Sequence, residues 1–192
     1  APVSRDDGAA AVSADLRWTG NVASVAAALP VGDADVGGRM DADLHLSGSL
    51  AAPRLSGRAS LAGGSLVHDA LGLALRDVAA QAVADGTRLE LRSLSATDGE
   101  GGTMTASGLL AFGRLPAFDA RAELHAKRAT LVRLDLLTAK ADADLELAAS
   151  RGAEAGSRVE GSLRGKVRVD EARFEIPQRF PSDVPDLPVT EV

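Results

Sequence analysis

The sequence predicts an all-β fold, an elongated and curved sheet that forms a trough with an apolar interior, and three observations carry that expectation. The first is a two-residue rhythm. Phe118-Asp119-Ala120-Arg121-Ala122-Glu123-Leu124-His125-Ala126-Lys127 puts apolar side chains on one phase and charged ones on the other, and in a strand the two phases are opposite faces. The second is glycine punctuation, as at Gly48, Gly57, Gly63-Gly64, Gly101-Gly102 and Gly165, where the rhythm stops or changes phase as turns and bulges require. The third is the filling of the apolar phase by Leu, Val and Ala, with aromatic residues at 3% and no Tyr. Large rings that would complete a closed core are scarce.

The elements follow in order along the chain. Residues 1–10 are polar and contain glycine, and are expected to be a flexible segment. Val12, Ala14, Leu16 and Trp18 alternate as a first strand. One short helix is expected near residues 22–29, capped by Asn21, with Val22, Val25, Ala26 and Leu29 at helical spacing and Pro30 ending it. From Val36 to Ile176 the reading is strand, with the rhythm repeated at Met40 to Leu46, Leu71 to Arg76, Arg88 to Arg92, Ala141 to Leu147 and Lys166 to Asp170. The glycine spacing predicts strands of about 6 to 10 residues.

Internal echoes accompany this rhythm. Leu46-Ser47-Gly48-Ser49-Leu50 resembles Leu55-Ser56-Gly57-Arg58-Ala59-Ser60-Leu61, and Ala42-Asp43-Leu44 returns as Ala143-Asp144-Leu145. They fit a stacked, solenoid-like sheet, and equally an ordinary β domain whose turns are filled by Gly and Ser. After Ile176 the prolines Pro177, Pro181, Pro185 and Pro188 break any sheet, so 177–192 is expected to be an extended tail or linker. The length suits one structural unit over 11–176. A start at Ala1 without an initiating Met reads as a piece cut from a longer chain.

Composition narrows the function. Acidic residues outnumber basic ones, 27 to 21, for a net charge of -6, so no overall field attracts nucleic acid or an anionic membrane. Without Cys there is no disulfide or thiol chemistry, and the compartment stays open. No stretch reaches the roughly 18 to 20 apolar residues of a membrane-spanning helix. His45, His68 and His125 lie far apart, and Asp33/Asp35, Asp41/Asp43 and Asp142/Asp144 lack the spaced ligands of a calcium loop. On a strand such pairs share the solvent face. Asp98-Gly99-Glu100-Gly101-Gly102 is followed by no Lys and opens no helix, so it reads as a flexible turn and not a phosphate cradle. No enzymatic motif, metal site or cofactor site is expected.

An apolar sheet face has three uses. It can close into a sandwich, face lipid in an outer-membrane barrel, or line an open trough. The barrel lacks its aromatic girdles here. An aliphatic trough suits acyl chains, because many weak and nearly equal sites permit sliding where aromatic pockets would confer selective recognition.

At Gly38-Arg39-Met40-Asp41-Ala42-Asp43-Leu44-His45-Leu46-Ser47-Gly48-Ser49-Leu50-Ala51-Ala52-Pro53-Arg54-Leu55-Ser56-Gly57, then Gly63-Gly64-Ser65-Leu66 and Leu71 to Val78, the chain resembles the C-terminal region of the TamB family, within the wider AsmA-like group. TamB is the inner-membrane component of the translocation and assembly module. The stretch from Gly48 to Gly57 carries the most telling pattern, and Val159 to Pro177 is similar to the strand pair that leads into a proline-rich segment in that family. The resemblance covers about residues 20 to 190. It implies a β-taco, meaning a long curved sheet with an apolar interior, in the periplasm of a diderm bacterium on a chain anchored in the inner membrane. It further implies a TamA-like outer-membrane barrel as partner, and roles in phospholipid transport and outer-membrane protein assembly. No catalytic residues come with it.

From the alternation itself, Met40, Leu44, Leu46, Leu73, Leu89, Leu91, Met104, Phe118, Leu124, Leu145, Leu147, Val167 and Val169 are expected to line a groove for phospholipid acyl chains. The competing readings are a chaperone-like scaffold that holds unfolded outer-membrane or autotransporter strands, and a closed structural sandwich.

Overall fold

The structure is a computed structural model that describes residues 11–24, 34–49, 51–134, 137–154 and 156–174. The expected flexible segment 1–10 and the proline-rich tail 177–192 lie outside these residues. Among the described residues nine strands follow one another: β1 (Ala14–Asn21), β2 (Asp35–Ser49), β3 (Ala52–His68), β4 (Leu73–Gly86), β5 (Arg88–Thr97), β6 (Thr103–Phe112), β7 (Phe118–Leu134), β8 (Leu137–Arg151) and β9 (Val159–Phe174). They make one antiparallel sheet whose spatial order is the sequence order, β1 through β9. The fold is all-β, an open, curled sheet. Among the described residues β1 and β9 are its two edges.

Register explains why the alternation is so strict. Trp18 lies opposite Ala42, Ala42 opposite Ala59 and Ala59 opposite Ala82. Farther along, Leu110 faces Ala120, Ala120 faces Ala149 and Ala149 faces Gly161. The apolar phase therefore runs unbroken from β1 to β9 on one face. Slipping a strand by one residue would turn its whole apolar set to water, so this face fixes the pairing.

Charged pairs on the other face reinforce the same register. Thr19 Oγ1 donates to Asp41 at 2.7 Å, and the Nδ1 atoms of His45 and His125 lie 2.7 Å from Asp15 and Asp144. Each of these pairs joins residues directly opposite on neighbouring strands. Exposed pairs of this kind contribute at most about 1 kcal/mol each.

Curvature comes from a row of bulges. Register slips fall between β2 and β3 at Gly37 to Arg39, between β3 and β4 from Leu61 to Leu66, between β4 and β5 from Arg76 to Ala79 and at Gln81 and Ala82, between β5 and β6 from Leu91 to Leu94, between β7 and β8 from Ala126 to Val132, and between β8 and β9 at Lys140 and Ala141, where Asp170 is the extra residue. Apart from the mid-strand slips at Gln81 and Leu91, they sit toward the end of the sheet that carries the 69–72 and 98–102 turns. A bulge adds twist and bends its strand, and a row of them acts as a crease. Along it the sheet folds toward its apolar face, bringing β4 and the 3-10 turn Asp69–Leu71 against β7, three strands away from β4. The core lies there: Leu75, Val78, Ala96, Met104, Ala126, Ala129 and Ala143, with Leu61, Leu66, Leu73, Leu124 and Leu145 packed on it. Ala129, Ala141 and Ala143 are at most 2% exposed. Such small side chains let the facing backbones approach, and the bulkier Leu75, Val78 and Met104 fill the space between.

Two expectations are corrected here. Strands of 6 to 10 residues were expected, whereas β2 to β4 and β7 to β9 run to 14 to 17 residues. Two glycines read as turns or bulges, Gly57 and Gly165, lie inside strands in unbroken register instead. Gly57 and Gly165 have φ of 126° and 152°, and a Cβ on either would collide with the carbonyl oxygen of Asp43 or Asp144 on the neighbouring strand. They relieve local strain without ending the strand. The expected helix begins as a 3-10 turn at Val22–Ser24, closed by the Ala23 N–H on Asn21 Oδ1 at 3.0 Å. Its remainder, 25–29, lies outside the described residues.

Candidate functional site

All thirteen residues expected to line the groove fall on the apolar face, but the crease divides them by use. Met104 is buried in the core, and Leu73, Leu124 and Leu145 pack against it. They hold the fold together and offer little surface. Met40, Leu44, Leu46, Leu89, Leu91 and Phe118 are half-buried. Leu147 is 43% exposed, while Val167 and Val169 on the edge strand exceed half exposure. The apolar face is thus sealed at the crease and open toward β8 and β9, while among the opposite turns the β6–β7 loop reaches the β2–β3 turn, the Leu115 N–H donating to Ala51 O at 2.8 Å.

The open part has measurable shape. A shallow depression of about 420 Å³ lies between β7, β8 and β9, floored by Ala120, Ala122, Leu147, Ala149, Gly161 and Leu163. Its walls are mainly methyl and isobutyl groups and glycine backbone, with Arg121 and Ser162 also reaching it and no ring to set a preferred orientation. Along Phe118 to Lys127 the division is clean: the odd-numbered residues Asp119 to Lys127 are exposed, and the even-numbered residues Phe118 to Ala126 are half-buried or buried.

The polar face, among the described residues, is a field of cross-strand pairs. The Asp-x-Asp pairs take part in cross-strand bonding: Asp43 pairs with Arg17 at 3.6 Å, Asp41 accepts from Thr19, Asp144 faces His125 and Asp142 pairs with Arg168. Asp33 lies outside the described residues. Asp142 is held below the usual carboxylate range, first by the Arg128 backbone N–H at 2.8 Å and then by Arg168. That bond secures a bulge at which Arg128 has φ of 50°. Among the described residues no group of three His, Cys, Asp or Glu side chains could hold a metal ion.

Sequence reasoning missed one organising residue, Asp98. The segment read as a flexible turn is instead tied down by a carboxylate only 5% exposed. Its Oδ1 accepts from the backbone N–H groups of Glu100 and Gly102, both at 2.8 Å. Its Oδ2 accepts from Thr130 N at 2.9 Å and Thr130 Oγ1 at 2.8 Å. Burial pulls its pKa upward, but these bonds overcome that pull and lower it to about 2. One side chain thus joins the β5–β6 turn to β7 across the crease. Lys140 adds an ion pair to Glu100 at 3.0 Å from β8. The signal was present in Asp98 followed by glycines at 99, 101 and 102, since an Asp that accepts from the backbone two and four residues on organises such a turn. The distant partner Thr130 had no counterpart in the local sequence.

Comparison with family models, with curated proteins and with solved structures finds no match for this chain.

Proposed function

We propose that this chain is a periplasmic segment of a TamB-like protein, anchored elsewhere in the inner membrane of a diderm bacterium, whose apolar trough carries phospholipid acyl chains toward the outer membrane. On this reading it works with a TamA-like barrel through the full-length protein and supports outer-membrane protein assembly. The observation that carries it is the unbroken, mainly aliphatic face across the nine described strands, sealed by packing at the crease and exposed toward β8 and β9. Exposing a 16-carbon chain to water costs on the order of 10 kcal/mol at about 0.8 kcal/mol per CH₂, so a carrier must shield most of its length. Ala and Leu walls supply that shielding with nearly equal sites from strand to strand. No step of this role requires bond chemistry, and the chain is read as a non-enzyme.

The test is extraction of the purified, folded chain and identification of bound lipid by mass spectrometry. Phospholipid in stoichiometric amount is expected. A lipid-free protein that also fails to bind an apolar fluorescent probe would support a closed structural role. Photo-crosslinks from Leu91 or Leu147 to unfolded outer-membrane strands, in place of acyl chains, would support the chaperone reading.

A further inference from the structure

One charged side chain stands on the apolar face. Among the described residues away from the crease, the apolar phase of β6 to β9 carries a single Asp, Glu, Lys or Arg, and it is Arg151. β8 pairs with β9 without a slip from Ala141 to Arg151, so Arg151 shares its face with Leu147 and Ala149. It lies directly opposite Phe118 on β7 and Val159 on β9.

Nothing on that face answers the charge. The Arg151 Nε is buried and meets no acceptor, and among the described residues the guanidinium makes no ion pair. The carboxylates nearest in sequence or register are engaged elsewhere. Asp119 and Glu160 lie opposite Ser150, on the polar phase, where Asp119 pairs with Arg121 at 3.4 Å. Glu154, in the β8–β9 loop, is exposed and unbonded to Arg151. A buried donor without an acceptor is unfavourable and uncommon in folded proteins. Laying the Arg151 stem over Phe118 would shield apolar surface, but it supplies no acceptor.

Position says what kind of acceptor fits. Arg151 follows Ala149 by two residues on one face, about 7 Å along the strand, and Ala149 floors the depression of about 420 Å³ together with Ala120 and Gly161. A cation thus stands at the rim of an aliphatic hollow, on the side away from the crease. The complementary ligand is an amphiphile whose acid group lies a few bonds from an aliphatic chain. A phosphodiester meets this need, because its two free oxygens match the planar fork of a guanidinium.

We infer that Arg151 is the head-group site of the trough: its guanidinium holds the phosphodiester of a phospholipid whose acyl chains lie in the adjoining depression, head toward the β8–β9 loop and tails toward the crease. This rests on the lipid-carrying role proposed above. It adds a fixed orientation for the cargo and a preference for phosphorylated amphiphiles over neutral ones.

The test titrates the full chain with two short-chain probes below their micelle-forming concentrations, dihexanoyl phosphatidylglycerol and dihexanoylglycerol, which share their acyl chains and differ in the phosphorylated head. Affinities are read by NMR from the backbone amide shifts of Ala149 and Gly161. The phosphorylated probe is expected to bind the parent at least about tenfold more tightly, and to lose that margin as salt rises. Arg151→Gln, its fold and urea midpoint checked, is expected to abolish the margin while leaving the neutral probe within about twofold of its parental affinity. Arg151→Lys should keep part of the margin, since it retains the charge without the fork. Equal binding of the two probes by the parent, or an unchanged margin in Arg151→Gln, overturns the head-group site and leaves the trough reading standing. Displacement of the phosphorylated probe by an equal concentration of inorganic phosphate, or tighter binding of octanoate, overturns it too, by assigning Arg151 to a free anion or a fatty acid. If neither probe binds, the trough reading fails and the head-group site falls with it.

Discussion

Asp98 offers the strictest test of how the curl is held. Replacing it with Asn keeps the shape but leaves a single acceptor oxygen for two pairs of donors. Either the turn N–H groups of Glu100 and Gly102 or the Thr130 N–H and hydroxyl lose their partner. The carboxyl's pKa falls from 3.8 to about 2 in the fold, and at 1.36 kcal/mol per unit this corresponds to about 2 kcal/mol favouring the folded state. Because the folded value lies below the unfolded one, that contribution is complete above about pH 5 and vanishes as pH falls through about 2. Urea unfolding followed by circular dichroism, from pH 7 down to pH 2, should therefore show Asp98→Asn less stable than the parent by about 2 kcal/mol near neutrality. The two should converge in acid. A gap below about 0.5 kcal/mol at neutral pH, or one that does not narrow between pH 4 and 2, would refute the account of Asp98 as the clasp of the crease.

Four further outcomes follow from the same geometry. Gly102→Ala would place a Cβ 2.5 Å from Asp98 Oδ2 and 2.6 Å from Arg128 O, and is expected to cost roughly 2 to 3 kcal/mol by urea unfolding. Gly57→Ala and Gly165→Ala force a side chain into the left-handed region and against a carbonyl of the next strand, so each should lower the urea midpoint by an equivalent of about 2 kcal/mol or more. Ala143→Asp buries a charge at a position 1% exposed and should abolish cooperative unfolding. Leu147→Asp, on the exposed part of the face, should change stability by less than about 1 kcal/mol while, on the proposed function, abolishing the copurification of phospholipid expected for the parent.

What could be read from the chain, and what could not, divides along physical lines. Period-two alternation fixes which side chains share a face, so the segment from Phe118 to Lys127 and the placement of all thirteen expected lining residues needed no tertiary information. Alternation cannot say which part of that face is covered. Ala122 and Ala143 look alike in sequence, yet the first is half-buried and the second is sealed in the core, because only the crease brings β4 over β7. Glycine also proved an incomplete guide to bulges. The apolar phase slips from Leu75 to Val78, from Leu91 to Leu94 and from Ala126 to Ala129 without a glycine between. At two of these sites Asp77 and Arg128 themselves adopt φ of 50°. The three-residue step in the apolar phase was the readable mark of a bulge. The echo of Ala42-Asp43-Leu44 in Ala143-Asp144-Leu145 acquires a structural meaning as well. Each Leu lies opposite a positive-φ glycine on the following strand, Gly57 or Gly165, so the repeat is one strand-pair device used twice.

The strictly sequential strand order has a consequence for how such a molecule assembles and varies. Every pairing joins a strand to its immediate predecessor, so the sheet can grow hairpin by hairpin, each addition needing only a short loop closure. Coupling beyond neighbours comes where β4 meets β7 and where the β6–β7 loop bonds to the β2–β3 turn, which makes β3 to β8 the cooperative centre and leaves β1 and β9 as the first parts to exchange with solvent. A chain built this way can lengthen or shorten by whole hairpins at its ends without re-registering the strands between. The reach of such a sheet is then set by the number of strands encoded, and its cross-section by the bulges that each strand carries.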